Sequence, residues 1–131
     1  MLREPPYDDS AGRDDYGDDD APSLTDVLRA ALEPVAAKID AAFIYGPLAR
    51  GVTTPHGDVD LIIIGRGIDY TDVIPRFIEA GKYLGRAINP SVYTVQEWRR
   101  KLLCGNRVML AVMKQPKIFL VGSKDSIPQA G

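Results

Sequence analysis

The sequence has one cysteine, one histidine and one tryptophan in 131 residues, and aromatic residues make up only 8% of it. Cys104 has no partner for an intrachain disulfide, so a reducing interior such as the cytoplasm is the expected setting. With His56 alone, no Cys/His zinc cage can be assembled. Long apolar runs are missing too. The longest, residues 41–45 and 59–64, fall far short of the roughly 20 residues a membrane-spanning helix needs, and no membrane partner is expected. Basic residues are sparse at the N-terminus, where an export signal would place them, so export is not expected.

The hydrophobic content of 45% suits one soluble domain with a modest core. The formal net charge of −2 is unevenly spread. Glu4, Asp8, Asp9, Asp14, Asp15, Asp18, Asp19 and Asp20 stand against Arg3 and Arg13, a net of −6 over residues 1–22 that leaves +4 for the remainder. That excess is too small to mark a nucleic-acid surface, and no nucleic-acid partner is expected. Residues 1–22 hold almost no aliphatic side chains and are read as a disordered acidic leader. A domain is expected over 23–122 and a flexible tail over 123–131.

Ser23 with Asp26 forms a box-like helix start, and Leu24, Val27, Leu28, Ala31, Leu32 and Val35 follow at helical spacing. Residues 41–45 and 58–65 are short, Ile-rich and bounded by Gly, Pro and Thr, as buried strands are. A second helix is expected over 72–84, with Pro75 tolerated in its first turn and Gly85 ending it. Residues 87–93 read as a third strand, weakened or placed at an edge by Pro90. Thr94 with Glu97 opens a helix running through Leu103. Residues 106–114 give a further short helix, and 117–121 a last strand. The alternation predicts an α/β domain: a small sheet of about four strands flanked by helices, with a helical crossover between the second and third strands.

Chemistry concentrates in residues 43–65, FIYGPLARGVTTPHGDVDLIIIG. The first strand delivers the chain to Gly46, where the missing side chain lets backbone N–H groups approach an anion. The helix-tolerant stretch Leu48, Ala49 and Arg50 comes next, so a phosphate could sit at a helix N-terminus with Arg50 nearby. Asp58 and Asp60, one residue apart on a strand, point to the same side. Their carboxylates therefore converge, and hard oxygen ligands with open positions suit Mg²⁺ or Mn²⁺ carrying a triphosphate.

This pattern resembles the minimal nucleotidyltransferase (MNT) family of the DNA polymerase beta-like superfamily, whose signature is Gly-Ser, ten residues, then Asp-x-Asp. Here Gly46-Pro47 is followed by ten residues and by Asp58-Val59-Asp60. Ala49-Arg50-Gly51 and the Asp-Val-Asp-Leu entry to an apolar strand also match, and the similarity runs from Ser23 to about Gly122. The resemblance implies a mixed-sheet polymerase beta-like fold. It also implies binding of ATP or another nucleoside triphosphate and transfer of a nucleoside monophosphate to a hydroxyl of a protein or small molecule. Asp58 and Asp60 would be the catalytic metal ligands, with Gly46, Pro47 and Arg50 at the phosphates. Some family members are antitoxins that adenylylate a toxin of the HEPN type, which makes such a toxin a candidate protein partner.

The sequence departs from the family at three places. Pro47 replaces the serine and brings neither hydroxyl nor backbone donor. Gly57 stands where serine is common. The third-carboxylate position falls on a strand without an acid, in the region of Asn89 and Ser91; Asn89 could ligate a metal through its carbonyl but could not accept a proton. These departures support an alternative, a catalytically impaired nucleotide-sensing or antitoxin-like partner-binding module. Elsewhere the expectations are plain. His56 is a solvated loop residue, Trp98 to Lys101 a solvated face with an amphipathic tryptophan, Tyr45 and Tyr93 core aromatics, Cys104 buried and inert, and Met109 and Met113 packing residues.

Overall fold

The computed structural model describes residues 23–52 and 57–129; the acidic leader and His56 lie outside them. Helix α1 (Leu24–Leu32) starts on the expected box, with the Asp26 N–H donating to Ser23 Oγ at 3.1 Å and the Ser23 N–H to Asp26 Oδ2 at 3.3 Å. The apolar spacing suggested a helix reaching Val35. Instead the chain tightens into a 3₁₀ segment, Glu33–Lys38, because Pro34 has no N–H for the Ala30 carbonyl, which takes the Glu33 N–H in its place.

Strand β1 (Ile39–Tyr45) pairs antiparallel with β2 (Val59–Gly65). Helix α2 (Tyr70–Leu84) then crosses over to β3 (Ile88–Thr94), which lies parallel to β2. Helices α3 (Val95–Leu103) and α4 (Arg107–Lys114) lead to β4 (Ile118–Val121), antiparallel to β1. The sheet order is β3-β2-β1-β4, a four-stranded mixed sheet flanked by helices, as expected. Pro90 does fall on an edge strand, where its missing N–H costs the sheet nothing.

Two cores fill the faces of the sheet. Ala42, Ile44, Val59, Leu61 and Ile63 pack with Leu28 and Leu32 of α1 and with Val73 and Phe77 of α2. The alternate residues Ala41, Phe43, Ile62 and Ile64 pack with Trp98 and Leu102 of α3 and with Met109 and Val112 of α4. A register shift between Ile39 and Ala41 lets Ile39 join the first core although Ala41 belongs to the second.

Four expectations need correction. Helix α2 begins at Tyr70 behind an Asp69–Asp72 box, so Pro75 sits in its second turn rather than its first, on an exposed face. Trp98 is fully buried, edge-on to Phe43 with centroids 6.5 Å apart, and only its charged neighbours are at the surface. Cys104 is exposed, because α3 ends beneath it and the chain turns at Gly105. Finally, the segment expected to be a flexible tail is docked over 123–129. It forms a 3₁₀ turn (Lys124–Ser126) and buries Ile127 to 3% exposure, and the Pro128 carbonyl accepts Trp98 Nε1–H at 3.1 Å. No helix among the described residues is long and apolar enough to cross a membrane.

Candidate functional site

The ladder aligns the candidate residues before any side chain is considered. Tyr45 on β1 is the direct partner of Asp60 on β2, and Asp60 is the direct partner of Asn89 on β3. Asp58 and Asp60 extend the side of β2 that carries Ile62 and Ile64, so the site continues the α3/α4 face of the sheet beyond its apolar core. Asp60 is half-buried and Asp58 exposed.

One atom ties the three polar residues together. Asn89 Nδ2 donates to Asp58 Oδ2 and to Asp60 Oδ1, each at 3.3 Å. The two carboxylates thus aim oxygens at one point, and those oxygens can be no further apart than two hydrogen-bond lengths. Gly46 closes the site from above. It holds φ at +79°, and a Cβ placed on it would lie 3.4 Å from Asp60 Oδ2, so the glycine bend and the Asp60 carboxylate are in direct apposition. Tyr45 supplies a neutral hydroxyl beside them. Burial, then the Asp60 charge, then Tyr93 push its phenol above the ordinary range, so it keeps its proton.

The stretch after Gly46 is not a helix. Residues 47–51 form turns, closed by Arg50 N–H on the carbonyls of Gly46 (3.2 Å) and Pro47 (3.0 Å) and by Val52 N–H on Pro47 (2.9 Å). The expected helix N-terminus for phosphate is therefore absent, and the N–H groups of Arg50, Gly51 and Val52 are already committed to carbonyls of the turn. Pro47 and Arg50 are exposed on that turn, and among the described residues no ion pair joins Arg50 to either aspartate. Asp58, Asp60, Asn89 and Gly46 come together; Arg50 stands apart.

Two contributors escaped the sequence reading. Tyr45 does pack, half-buried, against the α3/α4 core as expected, but strand register also sets it opposite Asp60. Arg86, in the turn between α2 and β3, donates from Nη1 to the Gly57 carbonyl at 3.1 Å, while Val59 N–H donates to the Ala87 carbonyl at 2.9 Å. These bonds fix the chain on either side of Asp58. A lone arginine after a helix-ending glycine carries no sequence signal for that role.

Among the described residues no group of three His, Cys, Asp or Glu side chains could hold a metal; beside Asp58 and Asp60 stands the Asn89 amide. The donors that remain still fit a divalent cation. Mg²⁺ commonly takes one or two carboxylates and fills its other positions with water and substrate phosphates. A polar hydrogen-bond donor already stands between Asp58 and Asp60, where positive charge is favoured. The site is open to solvent at the end of the sheet. A cavity of about 480 Å³ lined by Asp40, Arg66, Arg99 and Asp125 lies at the opposite end of β2.

No protein-family model matches the chain, and no curated protein matches its sequence. Solved structures do. A chain from a toxin–antitoxin structure determined with AMP-PNP superposes with a TM-score of 0.53 at 14% identity, over 77% of this chain and 75% of that one. A candidate nucleotidyltransferase from Sulfolobus solfataricus matches with a TM-score of 0.38 at 20% identity, over 59% of this chain and 72% of that one. The first match shows a shared α/β fold.

Proposed function

We propose that this is a nucleotidyltransferase-like protein that binds ATP or another nucleoside triphosphate together with Mg²⁺ or Mn²⁺. The carrying observation is that Asp58, Asp60 and the Gly46 bend meet at one point. In this reading Asp58 and Asp60 hold the cation, Gly46 leaves room for the phosphates, and the exposed Arg50 reaches the distal part of the triphosphate. The metal would neutralise charge on the triphosphate and hold its oxygens in line. The transfer step joins an acceptor hydroxyl oxygen to the α-phosphorus and releases pyrophosphate. Asn89 cannot take the hydroxyl proton, which must pass to water, so transfer is slow by comparison with binding.

Asn89 and Pro47 also favour a second reading, in which the chain binds nucleotide and masks a protein partner, in the manner of an antitoxin, without turnover. The fold shared with a chain of a toxin–antitoxin structure supports a protein partner, with a HEPN-type toxin as the candidate, and the AMP-PNP in that structure supports a nucleotide. The proposed setting is the cytoplasm. Calorimetry with ATP and Mg²⁺ tests the shared premise: wild type should bind with metal dependence, and Asp58→Asn with Asp60→Asn should weaken binding at least about tenfold, the loss of roughly 1.4 kcal/mol. Wild type that binds no ATP in saturating Mg²⁺ rules the proposal out. Transfer of labelled phosphate from [α-³²P]ATP to the partner separates the enzyme from the masking module.

A further inference from the structure

Asn89 does more than leave a gap where an acid is expected. Its amide nitrogen carries two hydrogens, and the geometry assigns one to each aspartate at equal 3.3 Å distances. Both bonds are longer than the 2.7–2.9 Å or so of a well-formed charge-assisted contact, so the bridge is weak. The amide is nevertheless the nearest donor to the point on which both carboxylates converge. A cation arriving there would face the positive end of the amide dipole. Rotation about χ2 exchanges Nδ2 for Oδ1 with almost no change in shape, turning a donor that opposes the cation into an acceptor that ligates it. Asn89 is exposed and lies on the edge strand, where a side-chain amide has room to turn.

We infer that Asn89 is an amide latch on the metal position: it bridges Asp58 and Asp60 in the metal-free protein, turns over to present Oδ1 when a divalent cation enters, and thereby sets the site's metal affinity. This rests on the cation-binding reading above. It makes the metal-free site self-satisfied, sparing the protein two converging carboxylates without a partner. An aspartate in the same place would give up that bridge and gain a third charged ligand, and the charge of the ligand set governs divalent-cation affinity.

A MgCl₂ titration of the ¹⁵N-labelled full chain, followed through side-chain amide resonances, tests the latch without any activity. The sequence has only two asparagines, Asn89 and Asn106, so the Asn89 signals are those missing from Asn89→Asp. Asn106 caps α4 by accepting the Met109 N–H at 3.1 Å and serves as the unmoving control. The expected result is a saturable shift of both Asn89 amide protons, with the same midpoint as the backbone amides of Asp58 and Asp60, and Mg²⁺ affinity at least about tenfold tighter in Asn89→Asp. Saturable shifts at Asp58 and Asp60 with the Asn89 amide unmoved, or no tightening in Asn89→Asp, would overturn the latch and leave metal binding standing. No saturable shift in either protein would remove the cation-binding reading and the latch with it.

Discussion

Gly46 holds φ at +79° beside the Asp60 carboxylate, a backbone state that a residue with a Cβ enters at a cost of about 1–2 kcal/mol. The added methyl of Gly46→Ala would sit in ordinary contact with Asp60 Oδ2, so the expected stability loss comes from the backbone and not from a clash. Urea unfolding should show that loss of about 1–2 kcal/mol, and calorimetry should show weaker Mg²⁺-ATP binding because the methyl covers one side of the carboxylate. Full stability would mean that the positive φ is not needed; full affinity would mean that ligand does not approach from this side. The Asp58/Asp60 pair and Gly46 were legible in the sequence because strand alternation and a missing side chain are local facts. The Tyr45–Asp60–Asn89 row was only partly legible, since it depends on register between strands that are distant in sequence.

At the scale of elements, side-chain boxes and glycine stops were read correctly from residue type and spacing. Ser23/Asp26 and Thr94/Glu97 start helices, and Gly85 in the left-handed region ends α2. Errors came from prolines and from burial. Pro34 cuts α1 short, and Pro75 lies one turn deeper in α2 than its spacing suggested, because the Asp69–Asp72 box starts the helix earlier. Pro75 cannot donate to the Thr71 carbonyl, and it is exposed, so an alanine there meets no packing constraint. Intrinsic propensity favours alanine over proline by about 3 kcal/mol in a helix interior, and the greater freedom of the unfolded chain returns roughly 0.4–1 kcal/mol of this. Pro75→Ala should therefore stabilise the protein, by about 1–2 kcal/mol once imperfect recovery of the bond is allowed for, as measured by chemical denaturation. A destabilised variant would show that the proline is holding a bend the rest of the fold needs.

For the molecule as a whole, the sheet divides the chain into two cores, and the site sits where the α3/α4 core gives way to solvent. The other end of that core is sealed by residues 127–129, which sequence composition alone marked as a tail. One isoleucine among Ser, Lys, Asp, Pro and Gln gives no periodicity to read, yet Ile127 is buried within the core, and the backbone after it accepts hydrogen bonds from Trp98 (3.1 Å) and Arg99 (3.2 Å). Shortening this side chain removes the anchor that holds the Pro128 carbonyl over the indole. Ile127→Ala should cost about 2–5 kcal/mol, the range for emptying a buried isoleucine site. Trp98 is the only tryptophan, so its emission reports the same event: a red shift is expected as water reaches the indole N–H. Because the seal lies at the far end of β2 from Asp58 and Asp60, Mg²⁺-ATP affinity should stay unchanged in the folded variant. A blue emission maximum retained at full stability would show that the Ile127 segment is dispensable, and weakened nucleotide binding would show that the two ends of the sheet are coupled through Phe43 and Trp98, which the rigid, close-packed core between them otherwise insulates.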